Sequence, residues 1–215
     1  MRALVFDFDG LLMDTESTMW SSWQFEWRQH GLELERERFF ADHGGDVTEE
    51  RYAALAAAVG AAYDRAVSHA RRVAYRDRLN AALRLADGLS GWLDRAAELG
   101  LLLAVASSSR SEWVRAMLGT TGYLERFDVI ATGDQVAAHK PDPAVYLLAL
   151  DELGVAADQA IAFEDTPHGV AAAKAAGMRC VAIPNPHADR ARFGQADVVL
   201  RSAAELSLDE LLATF

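Results

Sequence analysis

The sequence predicts an α/β protein: a doubly wound, mostly parallel sheet interrupted early by a helical insertion. Three observations lead there. Short apolar runs of four to eight residues recur along the chain, each bounded by Gly, Ser or acidic residues, as buried strands are. From about residue 86 onward they alternate with helical stretches of roughly 10 to 15 residues, the spacing of right-handed crossovers between parallel strands. The first run is cut off from the others by a stretch of helical periodicity with almost no β-branched clusters.

The first strand is "ALVFDF", residues 3 to 8, ending at Gly10. In "STMWSSWQFEWRQHG", Met19, Trp20, Trp23 and Trp27 fall at helical spacing and Gly31 is placed to close the helix; the tryptophan stripe reads as the core of that module. "TEERYAALAAAVG" starts at Thr48 as a candidate N-cap and closes at Gly60, and "AAYDRAVSHARRVAYRDRLNAALRL" supplies one or two more helices. Next come helix "GWLDRAAELG", strand "LLLAVAS" and helix "SRSEWVRAMLG", in which Ser109 and Glu112 have capping-box spacing. Strand "FDVIATGD" leads to helix "DPAVYLLALDELG", with Asp142 as N-cap and Pro143 at its first position. Strand "AIAFED" leads to helix "TPHGVAAAKAAG", with Thr166 and Pro167 arranged in the same way. Strand "RCVAIP", a short strand "ADVVL" and a helix from Ser207 complete the order. The expected division is a core of residues 1–14 and 85–215 and a helical module of residues 15–84.

A chain of 215 residues, 51% hydrophobic and 25% charged, has the composition of an ordinary globular protein. Its net charge of −11 opposes association with nucleic acid and with anionic membrane surfaces, so neither is an expected partner. The lone Cys180, inside an apolar run, reads as a buried core thiol. Neither a signal peptide nor a long apolar span is evident, so a cytoplasmic location is expected, with a monomer as the default state. Of 21 basic residues only Lys140 and Lys174 are lysines, which restricts any chemistry that needs an amine.

In doubly wound sheets ligands gather outside the carboxyl ends of the strands. Four strand ends here carry polar residues: "DFDG" at 7–10, "SSS" at 107–109, "DQVAAHKP" at 134–141 and "FED" at 163–165. Crowded carboxylates at such ends are reconciled by a shared hard divalent cation, which also supplies the positive charge that an anionic substrate would need. Taken singly, each motif has a plainer explanation: a strand end, a helix cap, a loop lysine, or an acidic pair favoured by a helix dipole. Together, in this order, they favour catalysis.

This ordered set resembles the haloacid dehalogenase-like (HAD) hydrolase superfamily, with its Rossmann-like core. The resemblance is narrower to the branch with a helical cap after the first motif, which includes small sugar-phosphate phosphatases and β-phosphoglucomutase; "EDTPHGVAAAKAAGM" is especially close. It covers the core motifs throughout and the cap only in position and helical character. What it implies is Mg²⁺-dependent hydrolysis of a small phosphorylated metabolite. Asp7 would be the nucleophile that forms an aspartyl-phosphate, and Asp9 the general acid and then base. Ser107, the backbone N–H of Ser108 and Lys140 would hold the phosphoryl group. Mg²⁺ would be ligated by Asp7, the Asp9 carbonyl and Asp165, with Glu164 acting through a water, and Gly10 would turn the chain toward the cap.

Asp9 sets the chain apart from hydrolytic dehalogenases, which lack that acid, and a lysine-free cap sets it apart from the family's phosphonate hydrolases. A β-phosphoglucomutase-type mutase stays open as an alternative. Its histidine is replaced here by Met19, and its cap lysine is missing unless Arg71 or Arg72 substitutes. A phosphate- and Mg²⁺-binding regulatory protein without turnover is the alternative from another class. Thr15, Glu16 and His43, the last in the "DHGG" turn of residues 42–45, are the candidate specificity residues, although Thr15 equally reads as a helix cap. His168 reads as a surface or supporting residue, and His139 has no assigned role.

Overall fold

The computed structural model describes residues 1–40, 47–185 and 188–215. They divide into two compact units, Met1–Asp14 with Arg84–Phe215, and Thr15–Leu83.

In the first unit six strands form one parallel sheet: β1 (Ala3–Phe6), β2 (Leu102–Ser107), β3 (Val129–Thr132), β4 (Ala160–Glu164), β5 (Arg179–Ala182) and β6 (Val198–Val199), in the order β3-β2-β1-β4-β5-β6. The chain is thus an α/β protein with a doubly wound sheet. The first strand lies in its interior, with Ala3 in register with both Leu102 and Ala160. Alternation separates the two faces. On one, Ala3, Val5, Ala104, Ala106, Ala160 and Ala162 pack with residues of Ala144–Leu153 and Pro167–Ala175, the small side chains letting those helices lie close to the sheet. On the other, Phe6 stacks on Phe163 at 4.6 Å between ring centroids, and Trp92 of helix Leu89–Glu98 lies 5.3 Å from Phe163. Both faces are covered, which is why these strands read as continuous apolar runs rather than alternating ones.

In the second unit, helices α1 (Thr15–Gln29), α2 (Arg36–Phe40), α3 (Thr48–Val59) and α4 (Arg65–Asn80) pack around Trp23, Phe39, Phe40, Tyr52 and Leu55, with Met19, Trp20 and Trp27 at the edge of this cluster. The tryptophan stripe is therefore core. Gly31, at φ +72°, ends α1: its N–H reaches the Arg28 carbonyl and the next N–H, of Leu32, reaches back to Trp27. Asp64 caps α4 by accepting from the N–H groups of Ala66 and Val67. Arg71 pairs with buried Glu26, and Arg72, itself buried, donates to the hydroxyls of Tyr52 and Ser22. Both guanidiniums proposed as lysine substitutes are thus engaged inside this unit.

The remaining helices of the first unit are α5 (Leu89–Glu98), α6 (Ser111–Thr121), α7 (Ala144–Leu153), α8 (Pro167–Ala175) and α9 (Leu208–Leu212). Several helix starts depart from expectation. Thr48 is the first residue of α3, and Val47 is its cap. Pro143 is the cap of α7, while Asp142 accepts from Ala144 N–H one residue further along. The capping box expected from Ser109 does not form: α6 begins at Ser111 with Arg110 as cap, because the Ser109 hydroxyl is used elsewhere. Thr166 does cap α8 through Gly169 N–H, with Pro167 at the first position, and Ser207 makes a capping box with Glu210 on α9. Cys180 is fully buried, as expected.

Candidate active site

Parallel register brings the carboxyl ends of the strands to one level, since Phe6 pairs with both Val105 and Phe163, and Ser107 with Thr132. The polar residues that follow these ends are therefore neighbours. Asp7, just past β1, is anchored by its own N–H to the Phe163 carbonyl at 2.9 Å. Lys140 comes in from the connection between β3 and α7. Its Nζ donates to Asp7 Oδ1 at 2.5 Å, Glu164 Oε1 at 2.5 Å and the Ala106 carbonyl at 2.9 Å, using all three ammonium hydrogens.

Glu164, the last residue of β4, is fully buried and saturated with donors. Its Oε1 accepts from Lys140 and from Tyr146 Oη at 2.6 Å; its Oε2 accepts from Asp165 N–H at 3.2 Å and from Thr166 Oγ1 at 3.3 Å. Gly169 in α8 leaves the space for this carboxylate, because a Cβ there would fall on its atoms. The carboxylate expected to serve a metal through water thus also holds the lysine and the start of α8 in place.

Carboxylate oxygens of Asp7, Glu164 and Asp165 lie within 4.8 Å of one another, and all three residues are buried. Against these three acids the site sets one ammonium. Burial raises the pKa of Asp7 to about 8, with Glu164 and Asp9 adding to the rise and Lys140 opposing it. Burial pushes Lys140 the other way, but the two carboxylates outweigh it and raise its pKa, so the ammonium stays charged. An all-oxygen donor set with surplus negative charge fits a hard divalent cation, and the cluster could hold one.

Asp9 is held apart from this cluster. Beyond it Gly10, at φ +85°, turns the chain so that its N–H meets the Met13 carbonyl at 2.8 Å. The two Asp9 oxygens have separate donors: Ser109 Oγ lies 2.5 Å from Oδ2, and Trp113 Nε1 lies 3.1 Å from Oδ1. Two carboxylates two residues apart therefore have different partners, an ammonium for one and neutral donors for the other. The buried Ser107 hydroxyl accepts from Ser109 N–H at 3.1 Å, which leaves its own proton for another acceptor. Ser108 is exposed, and its carbonyl sits where a Cβ on Gly133 would have to go.

Asp7, Lys140, Glu164 and Asp165 are thus brought together, with Asp9, Ser107 and Ser108 on the adjoining strand ends. Thr15 opens α1 as a buried residue instead of capping it, and Glu16 follows half-buried; both belong to the helical unit. His43 and its turn lie outside the described residues. His139 is exposed, with its ring close to Gly133, and His168 is half-buried in α8.

Residues 4–183 match the family described as haloacid dehalogenase-like hydrolase. The chain belongs to that family. Among its relatives is the validoxylamine A 7'-phosphate phosphatase of Streptomyces hygroscopicus subsp. limoneus, 31% identical over 205 residues that cover 95% of each chain. Hexitol phosphatase B of Escherichia coli (strain K12) is 30% identical over 217 residues, covering 98% of this chain and 96% of its own. CbbY from Rhodobacter sphaeroides, solved in complex with phosphate, superposes with a TM-score of 0.74 at 33% identity, covering 97% of this chain and 99% of that one. A mutant form of CbbY was solved with xylulose-(1,5)bisphosphate. This haloacid dehalogenase-like hydrolase is a phosphatase, a phosphoric monoester hydrolase.

Sequence reasoning missed three residues of the hydrolase's site. Tyr146 on α7 donates to Glu164, Trp113 on α6 donates to Asp9, and Ser109 is a partner of Asp9. Tyr146 sits in the apolar stretch "AVYLLAL" and reads as core, as its full burial bears out. Trp113 falls only six residues after Ser107, so its nearness to a strand end was the one available signal.

Proposed function

We propose that this chain hydrolyses the phosphate ester of a small polyhydroxylated metabolite, a sugar phosphate or its reduced relative, with Mg²⁺ and through an aspartyl-phosphate on Asp7. One observation carries this reading: Asp7 and Asp9 are two residues apart, yet one lies in the carboxylate–lysine cluster and the other is held separately by neutral donors. That separation suits two roles, a nucleophile beside a cation site and an acid/base beside it.

An Asp7 oxygen attacks phosphorus as the ester P–O bond breaks, and the leaving alkoxide takes a proton from Asp9. Asp9, now ionised, takes a proton from water as that water attacks phosphorus. The Asp7–phosphorus bond breaks and inorganic phosphate leaves. Lys140 offsets the charge on the phosphoryl oxygens and favours the ionised form of Asp7, while Ser107 Oγ–H and Ser108 N–H donate to the phosphoryl group. Asp7, Asp165 and the Asp9 carbonyl would hold Mg²⁺, with Glu164 in support. When bound, the ion supplies positive charge that relieves the repulsion among these acids and keeps Asp7 ionised. The helical unit carries substrate choice in this reading, with Thr15 and Glu16 as candidate specificity residues beside His43, which lies outside the described residues.

The substrate class rests on relatives named for a hexitol phosphate and for validoxylamine A 7'-phosphate, and on one solved with xylulose-(1,5)bisphosphate. The test is phosphate release from a panel of hexitol, ketose and aldose phosphates, with Mg²⁺ and with chelator, for wild type and Asp7→Asn. Metal-dependent release lost in the variant is the expected result. Conversion of β-glucose 1-phosphate to glucose 6-phosphate without phosphate release would overturn it in favour of a mutase, and silence in both assays would leave a binding protein.

A further inference from the structure

Asp9 has two oxygens, and the structure treats them differently. Oδ1 faces the indole N–H of Trp113 at 3.1 Å, and an indole can only donate. A proton on Oδ1 would point one hydrogen at another, so this oxygen stays an acceptor in both protonation states. Oδ2 faces the Ser109 hydroxyl at 2.5 Å, which donates to a carboxylate or, after rotating, accepts from a carboxylic acid. Ser109 is carried on the turn after β2, where its N–H is fixed by Ser107 Oγ at 3.1 Å, and half-buried Trp113 is carried on the first turns of α6. The local sequence would have spent Ser109 on capping α6. That this cap is forgone for a bond to a residue 100 positions away marks the contact as something the fold maintains.

We propose that Trp113 is a positioning residue for Asp9. Its indole N–H fixes the carboxyl plane and reserves Oδ1 as acceptor, so that Oδ2 is the oxygen that carries the proton to the leaving group and receives it back from water. This rests on the acid/base role given to Asp9 above. In the first step the bond from Asp7 to phosphorus forms, the bond from phosphorus to the leaving oxygen breaks, and the Oδ2 proton passes to that oxygen. In the second step water attacks phosphorus, its proton goes to Oδ2, and the Asp7–phosphorus bond breaks. Ser109 keeps Oδ2 in place between turnovers.

The experiment compares phenyl phosphate, whose phenoxide leaves poorly and needs the proton, with p-nitrophenyl phosphate, whose leaving group does not. The two share a phenyl ring and a phosphate group and differ only at the para position. Trp113→Phe keeps the ring and removes the N–H. We expect kcat/KM for phenyl phosphate to fall on the order of 10- to 100-fold, the scale of a misplaced catalytic group, and kcat/KM for p-nitrophenyl phosphate to change about 3-fold or less. In an Asp9→Asn background the same substitution should cost nothing further, because a positioning residue has nothing left to position. An equal loss on both substrates, no loss on either, or a full additional loss in the Asp9→Asn background would overturn the proposal. Asp9→Asn measured alone tests the underlying reading: if it keeps wild-type kcat/KM on phenyl phosphate, the acid/base assignment fails first; if it loses activity while Trp113→Phe does not, only the positioning role fails.

Discussion

Lys140 Nζ lies 2.5 Å from Glu164 Oε1 and 2.5 Å from Asp7 Oδ1, so a single ammonium ties the end of β4 to the residue that follows β1. Glu164 in turn accepts from Tyr146 and Thr166, and the lysine's position is inherited from this network, in which Glu164 and Tyr146 are fully buried. Glu164→Gln keeps the shape but removes the charge that holds Lys140. It should reduce kcat/KM by roughly 10- to 100-fold, as loss of an outer supporting carboxylate does, with the protein still folded by circular dichroism. Lys140→Met should be more damaging to the fold, by about 3–5 kcal/mol in urea unfolding, because it leaves two buried carboxylates without their partner.

Gly169→Ala reverses the usual helix rule. Replacing glycine by alanine inside a helix ordinarily stabilises by about 1 kcal/mol. Here the new methyl falls on the Glu164 carboxylate, and the network must shift. The variant should be less stable than wild type by about 1–3 kcal/mol, a change of sign that thermal or urea unfolding reads directly.

Mg²⁺ should raise the melting temperature of wild type through the Asp7, Glu164 and Asp165 cluster. A ligand at 100 times its Kd adds about 2.7 kcal/mol of stability by mass action. Asp165→Asn should remove most of that increment while leaving the melting temperature in chelator little lower than wild type's. An undiminished Mg²⁺ shift in this variant would argue against the cluster as the binding site.

Glu26 makes the helical unit sensitive to acid. Burial pushes this carboxyl up, but hydrogen bonds from Arg71 and His30 and the Arg71 charge outweigh it, holding the pKa below the ordinary 4.5. The folded state therefore binds its proton less readily than the unfolded one. Glu26 contributes its full stabilisation above pH 4.5, and loses it as pH falls through the lower folded pKa. Glu26→Gln should unfold earlier than wild type at pH 7, and the gap should narrow below pH 4.5 and close once the pH has fallen through the lower folded pKa. A gap that persists there would mean that Glu26 acts through packing alone.

Much of the sheet was legible because its strands are covered on both faces and so appear as apolar runs that stop abruptly at Asp7, Ser107, Thr132 and Glu164. The start of α8 was legible because Thr166 and Pro167 act within one turn. The start of α6 was not: local spacing assigned Ser109 a cap, and a partner 100 residues away claimed its hydroxyl instead. Tyr146 was hidden for the converse reason, since its ring fills the core as any apolar residue would and only its hydroxyl has a polar task. Short-range rules fix element ends when nothing distant competes, and near this site distant partners compete.

The interior position of β1 has a consequence for how the protein is made. Its neighbours in the sheet begin near Leu102 and Ala160, so the strand leading to Asp7 leaves the ribosome well before either partner exists. At roughly 5–20 residues per second, the wait for the second partner is on the order of 10–30 s. The helical unit, whose packed residues all fall between 15 and 83, has every one of its own partners by then. The segment bearing the proposed nucleophile is thus translated before its sheet partners and zipped into the sheet late, with an apolar strand to be shielded on the nascent chain meanwhile.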